Sequence, residues 1–317
     1  MTRDTKLKDL HLLPKIKDSL SFLYVEHAKI DKHDQAIAIH DADSMTPVPV
    51  ASLAVLMLGP GTTITHAAIN ALADNNCLVI WCGEENVRFY ACGIGGTRSA
   101  NRLLRQARLA SSETSRLQVV KRMYRMRFEE EIPEETTVDA LRGMEGARVR
   151  QAYSRLSAET GVDWNGRNYD RQNWQAADVI NRAISAANSC LYGLCHAAIL
   201  SAGYSPAIGF IHTGKQLSFV YDIADLYKVD FTVPLAFKMA ADPPAQLERS
   251  VRLACRDAFK EMKLVSRIIP DIKLVLGEVG DEDETSLFDS DEALPAELWL
   301  PSWEVQDKVT EDDGTDT

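Results

Sequence analysis

Between residues 20 and 92, apolar positions come in short runs broken by turn-forming residues. LSFLYVEHAKID, QAIAIHD, TPVPV, SLAVLML, NCLVIWCG and VRFYACG are rich in β-branched and aromatic residues, with Asp, Gly, Pro or Asn between them. This pattern predicts strands joined by turns. One helix interrupts them: Thr65 is placed to cap HAAINALADNN, which stops at paired asparagines ahead of CLVIW. After Gly93-Ile94-Gly95-Gly96 the apolar spacing lengthens to three and four residues. RSANRLLRQARLASS, SRLQVVKRMYRMRFEEE, TVDALRGMEGARVRQAYSRLSAETG and QAADVINRAISAANSCLYGLCHAAILSAG all carry it. So do QLSFVYDIADLYKVD, DPPAQLERSVRLACRDAFKEMK and SRIIPDIKLVLGEV.

The predicted fold class is therefore α+β. A β-rich domain over residues 1–93 precedes a larger all-helical domain over 94–277, and an acidic tail over 278–317 is expected to be disordered. Within the tail, PAELWLPSW is apolar enough to dock on a surface. The GxGG at Gly93–Gly96 lacks the six-residue pattern of a dinucleotide fingerprint and reads as a flexible joint. The chain has 317 residues, 45% hydrophobic and 26% charged, the balance of a soluble globular protein. No apolar run approaches the roughly 20 residues of a membrane span. The first residues, MTRDTKLKDLHLLPKIKD, lack a secretory h-region. Six cysteines contain no C-x-x-C, so neither a zinc site nor a disulfide is expected, and Cys190 and Cys195 read as core residues. Together these features predict a cytoplasmic protein with no membrane partner.

Charge changes the picture. The net value is −11, but residues 278–317 hold 15 acids against Lys308 alone, which leaves residues 1–277 at +3. From Arg88 to Arg127 there are ten Lys or Arg and one acid, Glu113. A basic body with an acidic tail points to a polyanion partner. The tail is expected to compete with DNA for that body or to contact a partner protein. Arg88, Arg98, Arg102, Arg105, Arg108, Lys121, Arg122 and Arg125 are suited to phosphate contacts, with an ordinary solvated helix face as the alternative. Arg102, Arg105 and Arg108 recur every three residues and predict a continuous stripe.

Glu145 in RGMEGARVR, His212 in GFIHTG, and Asp222 and Asp225 in SFVYDIAD supply the ligand types that a hard divalent cation accepts. Asp222 and Asp225 are spaced i,i+3 and share one helix face. Two acids on an otherwise apolar helix need a cation or a cationic side chain. Taken alone, Glu145 between arginines also fits an ion-paired surface carboxylate. Gly143 and Gly146 beside it cost a helix about 1 kcal/mol each relative to Ala, which favours a place where a backbone or substrate comes close. His212 lies in a Gly-bounded turn, able to present a ligand. Arg142, Arg148, Arg150 and Lys215 are candidates for neutralising a reacting strand. Tyr169, Trp174 and Tyr192 are suited either to stacking on unpaired bases, at about 1–3 kcal/mol each, or to packing in a core.

FLYVEHAKID, GPGTTITHAA, RGMEGARVR, WNGRNYD, SCLYG, AGYSPAIGFIHTGKQLSFVYDIAD and VRLACRD, in that order, resemble the CRISPR-associated endonuclease and integrase of the spacer-acquisition machinery (Cas protein one), in its type I-E form. The resemblance covers nearly all the body and leaves out the tail. It implies an N-terminal β domain used in dimerisation, a helical catalytic domain, a homodimer, and assembly with the small Cas protein two. It implies Mg²⁺ or Mn²⁺ held by Glu145, His212 and Asp225, with Asp222 a nearby acid that adjusts site charge or orients a water or second cation. It also implies that Tyr169, Trp174 and Tyr192 form a pocket for a single-stranded DNA end. Where some relatives have a tyrosine wedge against the last base pair, this chain has His27, preceded by Tyr24.

The function so implied is metal-dependent insertion of captured DNA with 3′ single-stranded ends, the protospacer, into a CRISPR repeat array. A 3′-hydroxyl would attack a phosphodiester by transesterification, and no Ser or Tyr nucleophile is invoked. His212 must be neutral to ligate, so activity should fall as pH drops through its titration range. The alternatives are a non-catalytic DNA-binding scaffold, whose acids pair with arginines, and a metal-dependent nuclease acting on branched DNA repair intermediates.

Overall fold

The computed structural model describes residues 22–34, 36–42, 44–75, 77–83, 89–93, 100–128, 132–133, 135–167 and 178–278. Arg88, Arg98, the Ile94–Gly96 part of the glycine joint, Tyr169, Trp174 and the tail beyond Glu278 lie outside the described residues. Along the chain come β1 (Phe22–Val25), β2 (Lys29–His33), β3 (Ala36–His40), β4 (Met45–Pro49), β5 (Val55–Leu58) and β6 (Thr63–Ile64). Helix α1 (His66–Asp74), β7 (Leu78–Cys82) and β8 (Phe89–Cys92) follow. One sheet has the order β1-β5-β7-β8, with Phe22 opposite Val55 and Val55 opposite Leu78 in parallel register and β8 antiparallel at its edge. The second runs β4-β3-β2-β6, antiparallel except for the β2–β6 pair. Helix α1 starts where its cap predicts. The Thr65 hydroxyl accepts the Ala68 N–H at 3.3 Å, and the Asn75 amide donates to the Ala71 carbonyl at 2.9 Å.

Strand β5 explains how the two halves join. All its side chains are buried, as expected of a parallel strand covered on both faces. Val55 and Met57, with Leu78 and Ile80 of β7, face a core built mainly from helices. Leu56 and Leu58, with Val79, face a smaller core lined by Ile30 and Ile37 of the second sheet and Ala68 and Leu72 of α1. The parallel sheet is thus a shared wall, and all the described residues belong to one compact unit.

The helical part comprises α2 (Asn101–Ser111), α3 (Glu113–Arg127), α4 (Val138–Thr160), α5 (Val179–Ser201) and α6 (Ser218–Ala224). A π-helical turn (Lys228–Thr232), α7 (Val233–Ala241), α8 (Leu247–Glu261) and α9 (Leu264–Leu276) complete it. Helix α4 runs from a Thr137 cap to left-handed Gly161, at φ 70°. Helix α5 is apolar nearly all round and packs against α6, α7, α8 and α9. By length and composition it is long and apolar enough to cross a membrane, which the run-length expectation overlooked. Its apolar window is 67% buried inside the fold, the behaviour of a core helix. All six cysteines are free; Cys195 is buried and Cys190 half-buried in α5.

The predicted arginine stripe is largely occupied elsewhere. Arg102 donates to the Ala202 carbonyl at 3.1 Å, and Arg105 to the Gly277 carbonyl at 3.0 Å. Arg122 donates to the Val275 carbonyl at 2.6 Å. Such carbonyls, orphaned at the ends of α5 and α9, are the negative poles of their helices, and a guanidinium satisfies them from outside. Arg108 and Arg125 remain exposed, whereas Lys121 is buried.

Candidate metal centre

His212 sits in the loop between α5 and α6, and three helices pin that loop. From α2, fully buried Gln106 donates to the Ser205 and Ile208 carbonyls at 3.0 and 2.8 Å and accepts the Ser205 N–H at 2.8 Å. From α3, Arg116 donates twice to the Phe210 carbonyl, at 2.9 and 2.8 Å. From α6, the Asp222 carboxylate accepts the backbone N–H groups of Phe210, Ile211 and His212 at 2.5, 3.1 and 2.8 Å. Gly209 makes the approach possible, because a Cβ there would collide with the His212 carbonyl and with Ser218.

The fourth partner of Asp222 is the His212 ring, with Nδ1 2.8 Å from Oδ1. The network assigns the Nδ1 hydrogen to this contact and leaves Nε2 on the far side, 3.8 Å from Asp225 Oδ2. The hydrogen bond to Asp222 raises the imidazole pKa above its ordinary value; burial opposes it and Asp225 adds to it. Asp222 is 0% exposed and has both oxygens engaged. It is built to orient His212 and has no lone pair turned towards a second cation. This is the carboxylate–histidine arrangement that fixes a metal-ligating imidazole.

Asp225, at the end of α6, meets two cations: Lys228 Nζ lies 2.5 Å from Oδ1 and Arg127 Nη2 3.8 Å from Oδ2. Burial lowers the Lys228 pKa, but Asp225 and Tyr192 outweigh it, so the net shift is upward and the amine stays charged. Arg127, the last residue of α3, has a side chain only 2% exposed. Its Nη1 pairs with Glu145 Oε1 on α4, and its Nη2 reaches the Asp222 carbonyl at 3.3 Å. The Tyr124 ring lies 5.3 Å from its Cζ. Burial first, and Glu145 second, push the Tyr124 phenol up to about 12, so it is neutral at physiological pH.

Tyr221 stands edge-on to both neighbouring rings, with centroids 5.8 Å from His212 and 5.1 Å from Tyr192. Lys228 Nζ sits 4.7 Å from the centroid of the Tyr192 ring. Tyr192 therefore adjoins the site, as a half-buried rim residue already in contact with a cation.

The profile described as "CRISPR associated protein Cas1" matches residues 22–132 and 124–243, a span that contains every residue of this site. The "CRISPR-associated endonuclease Cas1 2" of Thermus thermophilus is 53% identical over 302 residues, covering 95% of this chain and 93% of the relative. The chain belongs to the Cas1 family. A solved TtCas1-DNA complex is 55% identical, with a TM-score of 0.74 over 84% of this chain and all of that one. A casposase bound to integration product, 12% identical at a TM-score of 0.58, covers 93% of this chain and all of that one, and shares the fold.

For this Cas1 family member, the donor chemistry fits a divalent cation: one imidazole with its outward nitrogen held ready and two carboxylates, Glu145 and Asp225. Among the described residues no three His, Cys, Asp or Glu side chains already converge as a cation cage. The contacts explain why. Arg127 reaches both carboxylates and Lys228 holds one of them, so cationic side chains take the charge a metal would take.

The other predicted residues are spread more widely. Arg142 is exposed beside Asp139 at 3.7 Å, and Arg148 is 3.4 Å from Asp230. Arg150 and Lys215 are exposed, with Arg150 lying over Gly146, while the position of a Gly143 Cβ is open space. His27 is exposed in the β1–β2 turn at φ 51° and belongs to the β-rich part. Arg127, Lys228, Gln106, Arg116 and Tyr221 were not singled out from the sequence. Lys228 carried a signal, its i,i+3 spacing from Asp225. The others act across long stretches of chain.

Proposed function

We propose that this chain is a metal-dependent DNA endonuclease and integrase of type I-E, acting as a homodimer with Cas protein two to insert protospacer DNA into CRISPR repeat DNA. The observation that carries this reading is the Asp222–His212–Asp225 alignment, with Glu145 joined to Asp225 through one guanidinium. DNA as substrate is supported by the DNA complex of the 55% identical relative.

Glu145, His212 and Asp225 would hold Mg²⁺ or Mn²⁺, which when bound supplies positive charge to the scissile phosphate and the leaving oxygen. Asp222 keeps the His212 tautomer with Nε2 free and the ring immobile. Lys228, 2.5 Å from Asp225, is placed to move its charge to a phosphate oxygen as a strand arrives. In the joining step the 3′-oxygen of the captured DNA bonds to phosphorus as the bond to the array's own 3′-oxygen breaks. Arg142, Arg148, Arg150 and Lys215 contribute phosphate contacts around that step.

The test mixes the protein, Cas protein two, Mg²⁺ or Mn²⁺, a short duplex with 3′-hydroxyl ends and a supercoiled repeat plasmid. His212→Ala and Asp225→Ala are each expected to abolish joining; joining at the wild-type rate would reject the site. The scaffold reading draws on the ion pairs of Glu145 and Asp225 with Arg127 and Lys228. It predicts DNA binding unaffected by metal and no joined product under any condition.

A further inference from the structure

Glu145 and Asp225 carry two negative charges, and Arg127 and Lys228 carry two positive ones within the same contacts. Asp222 is satisfied separately by three backbone N–H groups and His212. Those N–H groups carry no net charge, so with His212 neutral the five ionised groups leave the site with one negative charge before any metal arrives. Arg127 is buried, so its charge is not dissipated in water. A divalent cation added to these groups alone would leave a surplus of one positive charge in a partly buried site. A phosphodiester brings the anionic oxygens that such a surplus requires.

From this charge balance we infer that Arg127 and Lys228 are built-in counter-cations of the ligand carboxylates, so that divalent metal and a DNA phosphate load together. The inference rests on the metal site of the proposed function. Arg127 is a positioning residue: it holds Glu145 and Asp225 at one guanidinium and yields them as metal and phosphate enter. Its geometry suits the exchange. Nη1 pairs with Glu145, and Nη2 bonds the Asp222 carbonyl and faces Asp225 at 3.8 Å, while Nε is buried without a hydrogen-bond partner, so the guanidinium is not locked by a full set of bonds. Coupling between the two ligands is reciprocal, so DNA must tighten metal as much as metal tightens DNA.

The test measures Mn²⁺ binding to the full chain, counting free Mn²⁺ by electron paramagnetic resonance, with and without a saturating short duplex. Asp225→Asn with the same duplex gives the background from DNA alone. The wild type is expected to bind Mn²⁺ about tenfold or more tightly with DNA, within the usual range of coupling. Arg127→Gln should bind Mn²⁺ tightly without DNA and gain little when DNA is added, whereas Arg127→Lys should keep the DNA dependence. Lys228→Gln, at a partly exposed position, should shift affinity the same way and serves where Arg127→Gln does not fold. Equal wild-type affinity with and without DNA, in a site that Asp225→Asn empties, would overturn the inference and leave the metal site standing. An Arg127→Gln protein that melts earlier yet binds Mn²⁺ like the wild type would overturn it too, reducing Arg127 to a brace. Mn²⁺ binding untouched by Asp225→Asn and Glu145→Gln would reject the metal site itself, and the inference with it.

Discussion

The His212 side and the Glu145 side of the site are built in opposite ways. His212 stands on a loop tied to three helices by at least nine hydrogen bonds, through Gln106, Arg116 and Asp222. Glu145 stands on one face of α4, beside a glycine whose missing side chain opens on empty space, and pairs with one arginine. The first half is fixed by directional bonds anchored on buried Asp222 and Gln106, although the imidazole itself is exposed. The second is held by a charge, which another charge can replace. A site that admits both a cation and a strand, as proposed, would gain from this division: the imidazole is preorganised and the carboxylates are exchangeable.

The largest expected effect breaks the rigid half. Asp222→Ala removes a buried carboxylate and leaves three backbone N–H groups without acceptors, at a cost of roughly 3–5 kcal/mol. Denaturant unfolding should read that loss, and strand joining should vanish even where the variant stays folded. A loss below about 1 kcal/mol would mean that Gln106 and Arg116 suffice to shape the loop, and the contrast between the halves would weaken.

Glu145→Gln probes the adjustable half. The side chain is 28% exposed, and an amide oxygen can still accept from Arg127. Stability should therefore fall by less than in Asp222→Ala, by about 1–3 kcal/mol, because the hydrogen bond survives while buried Arg127 loses one compensating charge. Joining and cleavage should nevertheless fall about 100-fold or more, because the charge lost belongs to the ligand set. A stability loss as large as that of Asp222→Ala would show that Glu145 is a structural residue and would erase the distinction.

How much of this was legible depends on how far each interaction reaches along the chain. Helix α1 between Thr65 and Asn75, and α4 between Thr137 and Gly161, announce their ends by residues one turn away. The apolar run of β5 signals burial on both faces, but not that one face meets helices and the other a second sheet. Glu145, His212, Asp222 and Asp225 stand out by residue type and local context, and the family resemblance implies all but Asp222 as ligands; the fold brings Asp225 beside His212 and links it to Glu145 through Arg127. Arg127 itself was hidden in a basic run, because nothing local tells a buried arginine from a solvated one. Arg102 and Arg105 misled for the same reason: an exposed-looking stripe ends on carbonyls 100 and 172 residues away. Asp222 needed the loop's path, since no spacing rule predicts three consecutive amides converging on one carboxylate.

The smallest expected effect is a titration, and it separates orientation from ligation. Asp222 raises the His212 pKa above the ordinary value near 6.5, chiefly through the hydrogen bond to Nδ1. A group whose folded pKa is raised contributes stability that is fully present below its unfolded pKa and is lost as pH rises through the folded one. For His212 that window opens near pH 6.5 and extends upward. In the metal-free protein, the His212 ring protons followed by NMR should titrate with a midpoint above 6.5. Asp222→Asn keeps the shape but removes the charge, and the midpoint should fall back towards the ordinary value, since burial and Lys228 then act with only Asp225 against them. The high-pH loss of stability should shrink in step. A midpoint unchanged in Asp222→Asn would mean that Asp225 sets the protonation of His212. The ring would then be governed by the exchangeable half of the site and not by the rigid one.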